Sequence, residues 1–411
     1  GLTYAMLGRH DEAESSFSRS LVLDPDFAEA YFHKGLSLEN LKKYEDALHA
    51  FDEVLLRIGD YSDAWFHKAV AFERLGKDED AVSAFEKARQ NDPRNITLLY
   101  SEGCTLTRLA RYNDALHIFD LALALAPENG QLLTEKGRVL ATVGRHEEAQ
   151  EIFAHASSVL PDLYEPNYLR GISLANLGRY NEAEHAFDAA LELRNADGEI
   201  WYEKGVVLTY LDRPEDAIDA FDNSIKFRPD DPRAYLERGR VFTSIGKFEE
   251  AIDSFDRVIE LSPVTASALC EKGIALFHIG KFEEALSVLG KTLAVEAGNT
   301  DALFFYASSF AELGRYAESA EVFGRLLTIT RDDAQIWFEQ GVVYAKLGSH
   351  DLAISAFENA IALKPDYFEA YYSKARSLDT LGQTADAITV YDQALNFNQK
   401  HTYSLFYKGA A

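Results

Sequence analysis

A reactive centre in this chain would have to be built from its histidines, cysteines and carboxylates. His33 and His67 occupy equivalent places in successive stretches of the sequence. On separate helices they would be held roughly 8–10 Å apart or more, whereas a metal ion draws each ligand to about 2 Å. A shared ion is therefore not expected. The run His146-Glu147-Glu148 lacks the spacing that sets two histidines on one helical face and reads as an exposed helix start. Cys104 and Cys270 are far apart, without Cys-x-x-Cys spacing. They read as small apolar fillers, not as a disulfide, a zinc site or a nucleophile. No glycine-rich phosphate loop occurs. With 67 Asp and Glu against 41 Lys and Arg, neighbouring carboxylates carry no information about acid–base chemistry. No catalytic residue, no cofactor and no metal site is expected, and the chain does not read as an enzyme.

Residues suited to holding a partner fall into columns instead. One column contains Phe66, Tyr100, Tyr168, Tyr202, Phe304, Phe338 and Tyr372. Four residues on, a second contains Val70, Arg138, Ile172, Val206, Arg240, Val342 and Arg376. Together they suggest an apolar, aromatic channel for a segment with hydrophobic anchors. The alternative stays open that the rings pack between units and show only their edges. Arg138, Arg240 and Arg376 could each hold a carboxylate. A third column is small in the middle of the chain, at Ala141, Ala175, Thr209, Thr243, Ala311 and Ala345, which would let a ligand backbone come close.

The elements that must position these columns follow from one period. Gly35 recurs as Ala69, Gly103, Gly137, Gly171, Gly205, Gly239, Gly273, Ala307, Gly341 and Ala375, at a constant interval without insertion or deletion. An unvarying period of about 34 residues marks a repeat solenoid. Within one repeat, Trp65, Ala69 and Phe72 form one helical stripe. Gly76 ends that helix; Lys42, Ala110 and Asp212 depart from its column. Ala81, Phe85 and Ala88 form a second stripe, closed by Pro93. Asp26, Asp60 and Asp366 are placed to cap the following helix. The glycine column is expected to face the alanine column of Ala81, so that two antiparallel helices approach closely. The aromatic column of Phe85 is expected to fill the space between one pair and the next. The expected architecture is one continuous array over 1–411: a partial repeat 1–27, eleven full repeats 28–401 and a partial repeat 402–411.

These columns resemble the tetratricopeptide repeat. The resemblance spans the whole chain and rests on Trp65, Ala69, Phe72, Ala81, Phe85, Ala88 and Pro93. It implies an all-α fold, a right-handed superhelical solenoid of antiparallel helix pairs. The first helices would line a concave groove that binds peptides or protein surfaces. One departure is consistent: the residue before the small one is basic, as at Lys34, Lys68, Lys136, Arg170, Lys204, Arg238, Lys272 and Lys374. A long stem there can cover apolar surface while its charge reaches water. The lysine–asparagine carboxylate clamp of chaperone-tail binders is replaced by Phe66 and Val70. The asparagine ladder of sugar-transferase arrays is absent as well.

A formal charge of -26 disfavours nucleic acid and anionic membrane. The expected partner is a neutral to basic protein or peptide with apolar anchors. Unpaired cysteines fit a reducing compartment, so the expected location is cytoplasmic. Gly1 already falls inside a repeat, which reads as a piece of something longer. The other readings are a regulatory, substrate-recruiting arm of a larger enzyme, and a solenoid that associates end to end.

Overall fold

A computed structural model describes residues 1–397. It contains 24 helices and no strand among the described residues. Each complete repeat is a hairpin whose first helix has 13 residues, as in Ser62–Arg74. The second has 14, as in Asp78–Asn91, except for the 15 of Tyr44–Ile58. The chain divides into two compact units, Gly1–Leu211 and the segment from Asp212 onward. Among the described residues no helix is long and apolar enough to cross a membrane.

Local chemistry sets the helix ends. Gly76 takes φ of 70°, and the Lys77 and Gly76 amides donate to the Phe72 and Glu73 carbonyls at 2.9 and 3.0 Å. This is the six-to-one and five-to-two closure of a left-handed C-terminal cap. Lys42, Ala110 and Asp212 adopt the same left-handed turn, with φ of 59°, 56° and 56°, despite carrying a Cβ. Second helices stop just short of the proline column, because the residue ahead of proline is pushed out of helical geometry. Gly59 replaces that proline, and its helix Tyr44–Ile58 runs to 15 residues. The capping expectation needs a correction by one position. The side chains that accept from the first turn are Asn95, Asn129, Asp197, Asp231, Asn299 and Asp333. In the repeats with Asp26, Asp60 and Asp366 that position holds Phe27, Tyr61 and Tyr367, with no side-chain cap.

The glycine column meets a ring in addition to the expected alanine column. A Cβ on Gly35, Gly103, Gly171 or Gly341 would come within 2.5–2.6 Å of the ring of Phe51, Phe119, Phe187 or Phe357. The ring of the second helix therefore lies on the bare backbone of the first. It also reaches the next repeat, since Phe51 stacks on His67 with centroids 5.8 Å apart. Ser319, the exception in the alanine column, is fully buried and donates its hydroxyl proton to the Ala307 carbonyl at 2.8 Å.

Successive repeats are joined by charge. The bases before the glycine column reach back to an acid on the preceding second helix. Lys136 meets Asp120 at 2.6 Å and Lys374 meets Glu358 at 2.8 Å. Lys68–Asp52, Lys204–Asp188, Arg238–Asp222 and Lys272–Asp256 repeat the contact. The ammonium thus ends on a carboxylate, where the sequence suggested water. Exceptions are exchanged in step. Glu102 stands where a base is expected, is buried, and takes Arg89 at 2.9 Å. Tyr306 faces Gly290 and Gln340 faces Gly324, at 3.8 and 3.7 Å from where a Cβ would sit.

Candidate functional site

The aromatic column and the column four residues on lie on the first helices and hence on one face. Phe66, Val70, Tyr100, Arg138, Tyr168, Ile172, Tyr202 and Val206 are half-buried in the first unit. In the second unit Phe304, Phe338, Val342 and Tyr372 are half-buried, while Arg240 and Arg376 are exposed. The reason is visible in the ring contacts. The aromatic rings rest on the core ring of their own second helix: Phe66 on Phe85 at 5.9 Å, Tyr168 on Phe187 at 6.2 Å, Phe338 on Phe357 at 5.8 Å. Phe338 also meets Tyr367, at the cap of the next first helix, at 5.1 Å, so these rings are packed against their neighbours and keep part of their surface exposed.

In the second unit some of these residues share cavities. The larger has a volume of about 500 Å³. Helix Thr300–Glu312 contributes Phe304, Ser308, Ala311 and Glu312 to its wall. Tyr316 and Phe323 come from the following helix, and Phe277 from the preceding repeat. Helix Ala334–Lys346 closes it with Gln335, Glu339 and Val342. A neighbouring cavity of about 220 Å³ shares Val342 and Lys346, and adds His350, Tyr372 and Arg376. Phe304 with Val342, and Val342 with Tyr372 and Arg376, are thus brought together. Phe338 is not part of either wall.

Arg138 and Arg240 are engaged internally. Arg138 pairs with Glu165 of the next repeat and lies 3.6 Å from Glu135. Arg240 donates to Glu237 at 2.8 Å and to Glu271 at 3.4 Å. They join neighbouring first helices, and a foreign carboxylate would have to displace an internal one. Burial raises the Glu135 carboxyl, against the opposing pull of Arg138. Burial and the nearby Glu312 both raise Glu339. The thiols are passive: burial pushes Cys104 up to about 11 and Cys270 up to about 12. Tyr100 is likewise pushed up to about 12 by burial and by Cys104.

Glu312, Glu339, Tyr316 and Lys346 escaped the choice of site residues from the columns. Glu312 and Lys346 share a register position with Asn40, Arg108 and Thr142, and that mixture hides any common role. A signal was present all the same: Glu312 is the single carboxylate in its column.

Models of the tetratricopeptide repeat match residues 1–63, 41–96, 100–156, 168–225, 208–266, 270–334, 327–365 and 338–401. No curated protein matches the chain significantly. Among solved structures, the chain is similar to YrrB, described as a TPR protein with an unusual peptide-binding site. They are 21% identical, with 47% of this chain and 99% of that one covered and a TM-score of 0.43. A tetratricopeptide repeat protein from Parabacteroides merdae is 16% identical, covering 60% and 97%, with a TM-score of 0.46. Yeast Tom70 is 13% identical, covering 93% and 95%, with a TM-score of 0.37. At these scores the likenesses carry no functional argument. The repeat models span most of the sequence, and the hairpins they describe are those of the fold: the chain belongs to the tetratricopeptide repeat family.

Proposed function

We propose that the chain is a protein-interaction scaffold whose first-helix face holds an extended peptide or protein segment, neutral to basic in charge and with apolar anchors. The observation that carries this reading is the half-buried aromatic column. Rings held by their neighbours with part of their surface exposed are rigid anchors, which lose little freedom when a partner covers them. The two adjoining cavities around Val342 supply recesses for side chains of such a segment. The negative charge of the chain favours a basic segment by long-range attraction.

Isothermal titration with a panel of capped nonapeptides, neutral or basic and bearing Leu or Phe, tests this reading. Phe338→Ala is expected to lower affinity about ten-fold. It should cost clearly less stability than Phe357→Ala, whose ring is fully buried and whose loss costs about 3–5 kcal/mol as a core cavity. Equal losses of stability with unchanged peptide affinity would show the column to be core.

A further inference from the structure

The cavity around Phe304 has a chemistry unlike the rest of that face. Three features coincide. Its walls carry Phe277, Phe304, Tyr316 and Phe323, with Phe304 and Phe323 held edge to face at 5.9 Å. Two carboxylates, Glu312 and Glu339, line it from adjacent repeats. Neither has an ion pair or hydrogen-bond partner among the described residues, in contrast with Glu135, Glu165, Glu237 and Glu271 on the same face, which all meet arginines. Lys346 also borders the cavity, on the wall it shares with the smaller one, beyond ion-pair distance of both acids. Glu339 is half-buried and Glu312 is exposed at the rim, so the two carboxylates share a recess of mixed polar and aromatic wall, and the burial that raises Glu339 is a cost a cation would offset.

We propose that this recess receives the guanidinium of an arginine in the bound segment, clasped by Glu312 and Glu339 and stacked against the Phe304 and Tyr316 rings. The inference rests on the peptide-binding reading of the same face and names the side chain that face selects. The volume of about 500 Å³ accommodates a whole arginine side chain with part of its backbone. Guanidinium fits better than ammonium for two reasons. It is planar and weakly hydrated, so it leaves water for an aromatic wall at lower cost. It also presents donors in a fork that two separate carboxylates can share. Elsewhere on the face the same role is filled internally: Arg138 and Arg240 each lie between acids of neighbouring repeats. Here the acids are present and the internal arginine is not. A partner arginine would complete the pattern.

The experiment uses the full chain and three capped heptapeptides, identical except for a central arginine, lysine or citrulline flanked by leucines. Citrulline keeps the shape and removes the charge. Titration calorimetry is expected to show the arginine peptide binding about ten-fold more tightly than the citrulline peptide, with lysine between them. Glu312→Gln/Glu339→Gln should bring the arginine peptide down to the citrulline level and leave the citrulline affinity unchanged. Circular dichroism should show that this isosteric variant stays folded. Equal affinity for arginine and citrulline overturns the proposal, as does a preference that survives the double variant, or lysine binding tighter than arginine. Phe338→Ala, outside this cavity, separates the two levels of inference. If it weakens all three peptides while the arginine preference is absent, the face binds peptides and the recess does not select arginine. If none of the peptides binds at millimolar concentration, both readings fall.

Discussion

Gly239 shows how tightly a single residue is constrained here. A Cβ at that position would meet the Phe255 ring at 2.6 Å, and that ring is fully buried, with no room to withdraw. Gly239→Leu is expected to destabilise by about 1–3 kcal/mol through overpacking, measured by urea denaturation. Ala110 points the other way. Its φ of 56° is strained for a residue with a Cβ, so Ala110→Gly should stabilise by about 0.5–1 kcal/mol after the added chain entropy is deducted. The same denaturation series reads both changes. The importance of the glycine column was legible from its period alone, but its contact was not. The period relates equivalent residues in different repeats, whereas the Gly239–Phe255 contact closes within a single hairpin. Capping was misplaced as well. Asp26 and Asp60 are good caps by type, but the helices start one position later, with Phe27 and Tyr61 at the cap.

Between elements, the basic column is a junction rather than a surface decoration. Lys136 is one-fifth exposed and its partner Asp120 is 59% exposed, so the pair is partly screened. A double-mutant cycle with Lys136→Met and Asp120→Asn is expected to give a coupling of about 0.5–1 kcal/mol, falling as salt is raised. No coupling at low salt would show the contact to be incidental. The sequence held a clue to this pairing. Where the base is exchanged for Tyr306 or Gln340, the position that should hold its acid is glycine, Gly290 or Gly324. Arg170 tells the same story from the other side: its acid is replaced by Ala154, and its buried Nε has no hydrogen-bond partner.

At the scale of the whole molecule, an excess of negative charge, -26, bears on the proposed preference for basic segments. The arginine heptapeptide should bind several-fold more weakly in about 0.5 M salt than in about 0.05 M, mainly through a slower association rate. A glutamate in its place should abolish binding at either salt. Stopped-flow fluorescence separates the two rates. The all-helical hairpin architecture and the face that bears the aromatic column could be read from periodicity, since both repeat. The recess that distinguishes one stretch could not, because it depends on Glu312 and Lys346, whose column carries unrelated residues in other repeats. Repetition reveals the scaffold, and the selectivity proposed for the recess would reside in what is not repeated.

The rungs that join Lys136 to Asp120 and Lys374 to Glu358 have a consequence for how the chain melts. In a linear lattice of similar units, the stability of a unit and its linkage to the next are separate parameters. Phenylalanine on glycine belongs to the first and is indifferent to ions, whereas the rungs belong to the second and are not. Raising ionic strength should therefore broaden the calorimetric transition more than it shifts the midpoint. The boundary between melted and intact segments should settle preferentially beside Ala154, Gly290 and Gly324, where no rung bridges the gap.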